Sequence, residues 1–244
     1  MRFNGLGGLV IVAALALGST AMSVEAADEP KPADAAASAQ PKATDLIFEE
    51  RHLSNVEPGK TIDYKFARTV SDPKILGLPF TDDITLKVTA DKAEGKKDLE
   101  LQIYTGERAR DLQKLDAFSI NPVFAVYFSQ AINTFSQLAG GKLDYLQHIF
   151  ADGWLKAKVE PIKVTYDGKQ VAAFRISMTP FAGDKYESKM QGWEGAKYDV
   201  IVSKDVPGQI VDLLATYHNR YPPATLKMSE RTTLAGVTGL ENTQ

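Results

Sequence analysis

The sequence predicts a mainly β, α+β domain. It would be a curved antiparallel sheet of about nine strands, an open half-barrel, with one long and one short helix inserted mid-chain against its concave face. Two observations carry that expectation. Apolar and polar side chains alternate over most of the chain from Leu46 onward, which puts every second residue on one face of a sheet. One stretch in the middle drops the alternation for helical spacing, so the sheet is interrupted by a layer able to cover it.

The strands are justified in chain order. Ile62, Tyr64 and Phe66 alternate with Asp63, Lys65 and Ala67. Ile84, Leu86 and Val88 alternate with Thr85, Lys87 and Thr89, and Leu99, Leu101 and Ile103 with Glu100, Gln102 and Tyr104. Glu57-Pro58-Gly59, Ser71-Asp72-Pro73 and Glu94-Gly95-Lys96 supply the turns that antiparallel hairpins need. The pattern returns over 154–166, 171–178, 198–202, 210–217 and 226–234, and Asp167-Gly168 marks a tight hairpin between the first two. The segment opening at Leu46 also reads as a strand, with His52 on its exposed side among Glu49, Glu50 and Arg51. One face is apolar throughout, as in an antiparallel sheet with one wet face.

The helical stretch is 121–140. Asn121-Pro122 is a good helix start, Phe124, Phe128, Ile132, Phe135 and Leu138 recur at spacings of four and three, and Gly140-Gly141 closes it. No charged residue occurs between Asp116 and Lys142. Surface helices normally show charge to water, so even the side carrying Ser129, Gln130, Asn133, Ser136 and Gln137 is expected to be partly enclosed. A second, shorter helix follows through Leu143, Leu146, Ile149 and Phe150.

Ahead of this body, residues 1–26 read as a signal peptide: Arg2, an apolar stretch from Leu9 to Leu17, then small residues ending at Ala26, where cleavage is expected. The apolar run is shorter than the roughly 20 residues of a spanning helix, so no stable membrane span is expected after its removal. The chain has no Cys, hence no lipid-attachment Cys, and a periplasmic protein that is not a lipoprotein is expected. Residues 27–44 are Ala- and Pro-rich without a large apolar side chain and read as a disordered linker. Residues 45–240 then form a single β-rich domain. A net charge of −3, from 28 basic against 31 acidic residues, leaves no surplus to neutralise nucleic-acid phosphates, so no nucleic-acid partner is expected.

Few chemistries fit the residue inventory. Thiol nucleophiles and thiolate metal sites are excluded by the absence of Cys. His52, His148 and His218 have no second His or carboxylate at metal-ligand spacing, so no metal, cofactor or catalytic residue is expected. Gly59-Lys60-Thr61 ends like a phosphate loop but has Ser54 where the leading Gly belongs, and a strand follows it. Asp82-Asp83 reads as a solvated turn, and Arg108 and Arg110 as a solvated loop with an anionic headgroup as its alternative partner.

What remains is aromatic. Phe128 and Phe135 on the helix, with Trp154, Phe174 and Tyr217 on the sheet, would line a groove for an apolar ligand or fill a core. Residues 181–197 set Tyr186, Met190 and Trp193 between Gly183, Gly192 and Gly195, which suits a lid, a partner contact, or a long loop with Trp193 tucked beneath. Export, the missing lipid-attachment Cys, the one-faced sheet and the inner helix resemble in layout the periplasmic lipoprotein carriers of the LolA and LolB type. That likeness is one of layout and assigns no residue a role. It implies a non-enzymatic binding protein for an apolar ligand or acylated envelope component. A protein-interaction module with a fully packed core, meeting an envelope protein partner, is the alternative. A hydrolase with a dispersed acid pair is the second alternative.

Overall fold

The computed structural model describes residues 40–221 and 226–240. The leader expected over 1–26 and most of the linker lie outside the described residues. Ten strands form one open, wholly antiparallel sheet: β1 (Thr61–Val70), β2 (Phe80–Asp91), β3 (Lys97–Ile103), β4 (Gln113–Phe118), β5 (Lys158–Tyr166), β6 (Lys169–Met178), β7 (Lys197–Val202), β8 (Ile210–His218), β9 (Lys227–Leu234) and β10 (Val237–Thr238). Their spatial order is β10-β5-β6-β7-β8-β9-β1-β2-β3-β4. The helices α2 (Val123–Ala139) and α3 (Leu143–Leu155) connect β4 to β5, and a single turn α1 (Pro73–Leu76) caps the β1–β2 connection.

The alternation becomes two faces. Ile62, Tyr64 and Phe66 of β1, Ile84, Leu86 and Val88 of β2, and Leu213, Ala215 and Tyr217 of β8 are buried on the inner face. Bulges between Val88 and Ala90, Lys97 and Leu99, and Ile201 and Val202 interrupt the pairing and bend a sheet locally. Asp167 and Gly168 both adopt positive φ, 47° and 74°, as the two-residue hairpin of their sequence requires. Pro161 sits in β5 opposite Phe174 of β6, at a point where the other side of β5 has no partner among the described residues, so no ladder bond is lost there to its missing N–H.

Helix α2 lies on the inner face. The Tyr217 hydroxyl donates to the Ala131 carbonyl (3.2 Å), the Tyr127 hydroxyl to the Leu214 carbonyl (2.8 Å), and Thr134 and Gln130 to the two oxygens of Glu230 on β9 (3.0 and 3.3 Å). Arg68 of β1 supplies the balancing charge through Nε and Nη2, at 2.9 and 2.5 Å, as a buried carboxylate demands. At the helix start Asn121, fully buried, accepts from the Val123 N–H (3.1 Å) and donates to the Tyr64 hydroxyl (2.8 Å) and the Gly208 carbonyl (2.9 Å). Gly208 has φ +67°, and a Cβ there would sit 2.6 Å from Ile62 Cδ1 and 2.8 Å from Asn121 Nδ2, so this junction has room only for glycine.

Several expectations are corrected. Trp154 is on α3, not on a strand, because Leu146, Phe150 and Trp154 recur every fourth residue and turn inward together. The segment 45–49 is a helical turn that buries Leu46 and Ile47. His52 is fully buried: a ring N–H reaches the Leu46 carbonyl at 2.8 Å and the ring meets Phe124 edge-on. Asp82 lies buried within β2 rather than in a solvated turn. The polar side of α2 is enclosed only in part, since Gln130 and Ser136 are half-buried while Ser129, Asn133 and Gln137 are exposed. Within the expected linker, Ala43 already belongs to the core.

Candidate functional site

Most of the aromatic residues singled out by the sequence pack into one network, joined through Tyr198, which meets Phe150 at 4.8 Å and Phe181 at 6.2 Å. Phe128, half-buried, sits against Trp154 (5.4 Å between ring centres), Phe150, Phe124, Tyr127 and Phe48. Phe135 stacks on Phe181 at 3.7 Å and 12°. Tyr217 lies under α2 and packs edge-on against Tyr198 at 6.0 Å. Phe174 is half-buried on β6, away from this network by register, since it pairs with Val202. Of the loop residues, Tyr186 is exposed and meets Tyr145, while Met190 and Trp193 are buried. Two of these three side chains are thus tucked onto the body, and of the three Tyr186 alone is presented to solvent.

An open groove of about 300 Å³ runs beside α2 instead, between the helix and the β3–β4 end of the sheet. Leu101 and Ile103 of β3, Leu115 and Phe118 of β4, and Pro122 and Val126 give it apolar walls. Gln113, Ser129, Gln130 and Asn133 give it uncharged polar groups, and Arg110 is the single charged side chain of the lining. Its size falls at the small end of ligand clefts, which span about 300–1,000 Å³. The missing charges on α2 now have a location: its Ser129 and Asn133 side lines this groove. None of Phe128, Phe135, Trp154, Phe174 and Tyr217 lines it. Phe128, Phe135, Trp154 and Tyr217 instead pack or bond on the other side of that helix.

The end of the groove at Arg110 is held by a carboxylate that sequence reasoning had assigned to solvent. Asp82 collects the Thr105 N–H (2.8 Å), the Thr105 hydroxyl (2.8 Å), the Asp83 N–H (3.0 Å) and Arg108 Nε (2.9 Å). Burial pushes its pKa up, but these donors outweigh burial and hold it down at about 2. Arg108 also covers the Phe80 ring at 4.9 Å. The Arg110 N–H donates to the Ile103 carbonyl (2.9 Å) and Gln102 donates to the Arg110 carbonyl (2.8 Å), so the loop is pinned back onto β3. Gln130 donates to the Tyr104 hydroxyl at 3.1 Å, joining that loop to α2.

No family model and no curated protein sequence matches the chain. Among solved structures it is similar to the complex of Pseudomonas aeruginosa MucA/MucB, with 10% identity, TM-score 0.33, and coverage of 80% of this chain and 56% of that chain. A second structure of MucB, in complex with MucA(peri), gives 9% identity, TM-score 0.33, and coverage of 79% and 55%. The chain therefore spans little more than half of those two chains. The Mycobacterium tuberculosis lipoprotein LppX gives 10% identity, TM-score 0.29, and coverage of 75% of this chain and 89% of that chain. Likeness at this level says nothing of what this chain binds. Among the described residues no helix is long and apolar enough to cross a membrane.

Proposed function

We propose that the chain is a non-enzymatic binding protein of the bacterial cell envelope that holds an acyl chain, or an acylated envelope component, in the groove between α2 and β3–β4. The observation that supports this reading is the lining itself. Leu101, Ile103, Leu115 and Phe118 of β3 and β4 face a helix side whose polar groups are uncharged, and Arg110 alone in the lining offers a charge for an anionic head. Apolar walls with a few polar groups are the usual form of a small-molecule cleft. In this reading Phe128, Phe135, Trp154, Phe174 and Tyr217 are the packed scaffold, and export with cleavage after Ala26 brings the protein to its ligand. Protein purified from exporting cells should yield lipid in an organic extract by mass spectrometry. Ala125→Trp, at an exposed groove position, should weaken a fluorescent fatty-acid probe by about tenfold or more with little change in melting temperature. Empty protein that also ignores the probe contradicts the reading.

A second reading is favoured by β4. Among the described residues it pairs only with β3, and its side chains are almost all exposed, so its outer edge can accept an extended segment of a protein partner. A protein empty of lipid but cross-linked to a peptide along 113–118 would favour it.

A further inference from the structure

The outer face of the sheet, opposite α2, carries a second site of different chemistry. The alternation that sends Tyr217 inward to Ala131 sends Thr216 and His218 outward. On this face His218 of β8 lies directly across from Lys227 of β9, and one row further on Thr216 lies across from Ser229, which is itself opposite Thr69 of β1. A cleft of about 340 Å³ opens over them.

Its lining contains four hydroxyls, those of Thr69, Ser71, Thr216 and Ser229, together with Lys227, His218 and Arg231, and no carboxylate. The hydroxyls of Thr69 and Ser229 lie 2.7 Å apart. Ser71 closes one end, exchanging bonds with the Lys227 backbone: its N–H donates to the Lys227 carbonyl (2.8 Å) and its hydroxyl accepts from the Lys227 N–H (2.9 Å). Arg231 is committed to Asp212 at 2.8 Å. The carboxylates of the adjoining crevice, Glu187 and Glu194, are held by Arg220 at 3.3 and 2.7 Å. Lys227 has no acidic partner among the described residues. An ammonium and an imidazole thus stand side by side with hydroxyls around them, and no described carboxylate pairs with the ammonium.

We infer that this cleft binds a phosphate group, with the Lys227 ammonium as its charged donor and the His218 ring N–H and the hydroxyls of Ser229, Thr216 and Thr69 as the donors beside it. The donor set is what phosphate recognition needs, since an oxyanion accepts from ammonium, imidazole N–H and hydroxyl together. His218 fits the same account: burial, and then the neighbouring Lys227, lower its pKa, a repulsion that a bound anion would relieve. The inference is independent of the groove beside α2, and Ala125→Trp leaves it untouched.

The test titrates the full exported chain with inorganic phosphate at fixed ionic strength, read by calorimetry. Saturable binding is expected, weakened about tenfold or more by Lys227→Gln, weakened by His218→Asn, and kept by Lys227→Arg. Both positions are exposed, and melting curves identify any variant that fails to fold. A second arm sediments the protein with phosphatidylcholine vesicles with and without phosphatidylglycerol. Pelleting that needs phosphatidylglycerol and is lost in Lys227→Gln assigns a lipid headgroup as the source, whereas phosphate binding without pelleting assigns free phosphate. Equal heats for phosphate and chloride, or affinity unchanged in both Lys227→Gln and His218→Asn, would overturn the site.

Discussion

Asp82 shows how one side chain decides the form of a loop. Its four donors come from its own neighbour and from the 104–112 connection, so the carboxylate orders the segment that carries Arg110 to the groove. A carboxylate with a pKa of about 2 in the fold and near 4 when unfolded favours the fold fully above pH 4 and loses that contribution as pH falls from about 4 toward 2. Asp82→Asn should therefore lower the melting temperature at pH 7 and flatten its fall between pH 4 and 2. Parallel acid melting curves for the two proteins would show that Asp82 does not titrate in this way. The adjacent Asp82-Asp83 pair gave no hint of this in sequence, because the partners Thr105 and Arg108 are more than twenty residues away.

At the scale of elements, the seating of α2 depends on Asn121. Replacing it with Ala removes three hydrogen bonds and leaves the Tyr64 hydroxyl, wholly buried, without its donor. An unsatisfied buried polar group costs about 1–3 kcal/mol, so Asn121→Ala should destabilise the protein by about 2–3 kcal/mol in denaturant unfolding. A loss under about 0.5 kcal/mol would mean the junction is held elsewhere. The helix itself was legible, since its Phe spacing, Asn-Pro start and Gly-Gly stop agree with one another. So were the strands whose inner residues alternate cleanly, from Ile62 through Leu234. Strand β4 was not legible, because an exposed edge strand has no buried face to alternate against. Helix α3 was cut short because Lys156 to Lys158 interrupts the apolar pattern just after Trp154. The strand expected at Leu46 became a helical turn because Leu46 and Ile47 are both buried, and neighbouring residues cannot share one face of a strand.

Across the whole molecule the sheet is wider than the helical layer that covers it. Hydrogen bonds of α2 and of Asn121 at its start fall on β1, β7, β8 and β9, and the β3–β4 end is left beside the helix rather than under it, which is where the groove arises. Sequence alone leaves Phe128, Phe135, Trp154, Phe174 and Tyr217 as either a groove lining or a filled core, because it shows which residues are apolar but not how closely they pack. In the fold Phe135 stacks on Phe181 and Phe128 packs on Trp154. On the opposite face, Asp199 and Asp212 are buried in a crevice that Leu240 lines, with Arg231 and Lys197 as their ion-pair partners. The described chain thus presents an apolar groove on one face and a cationic, hydroxyl-rich cleft on the other.

The absence of cysteine allows the groove to be read directly. A polarity-sensitive fluorophore attached at Ser129→Cys, in the groove, is titrated with a fatty acid and compared with the same label at Ser188→Cys, in the exposed 187–189 turn. The account predicts a blue shift that saturates at Ser129→Cys and no shift at Ser188→Cys. Fatty acid that binds with no change at Ser129→Cys would contradict it.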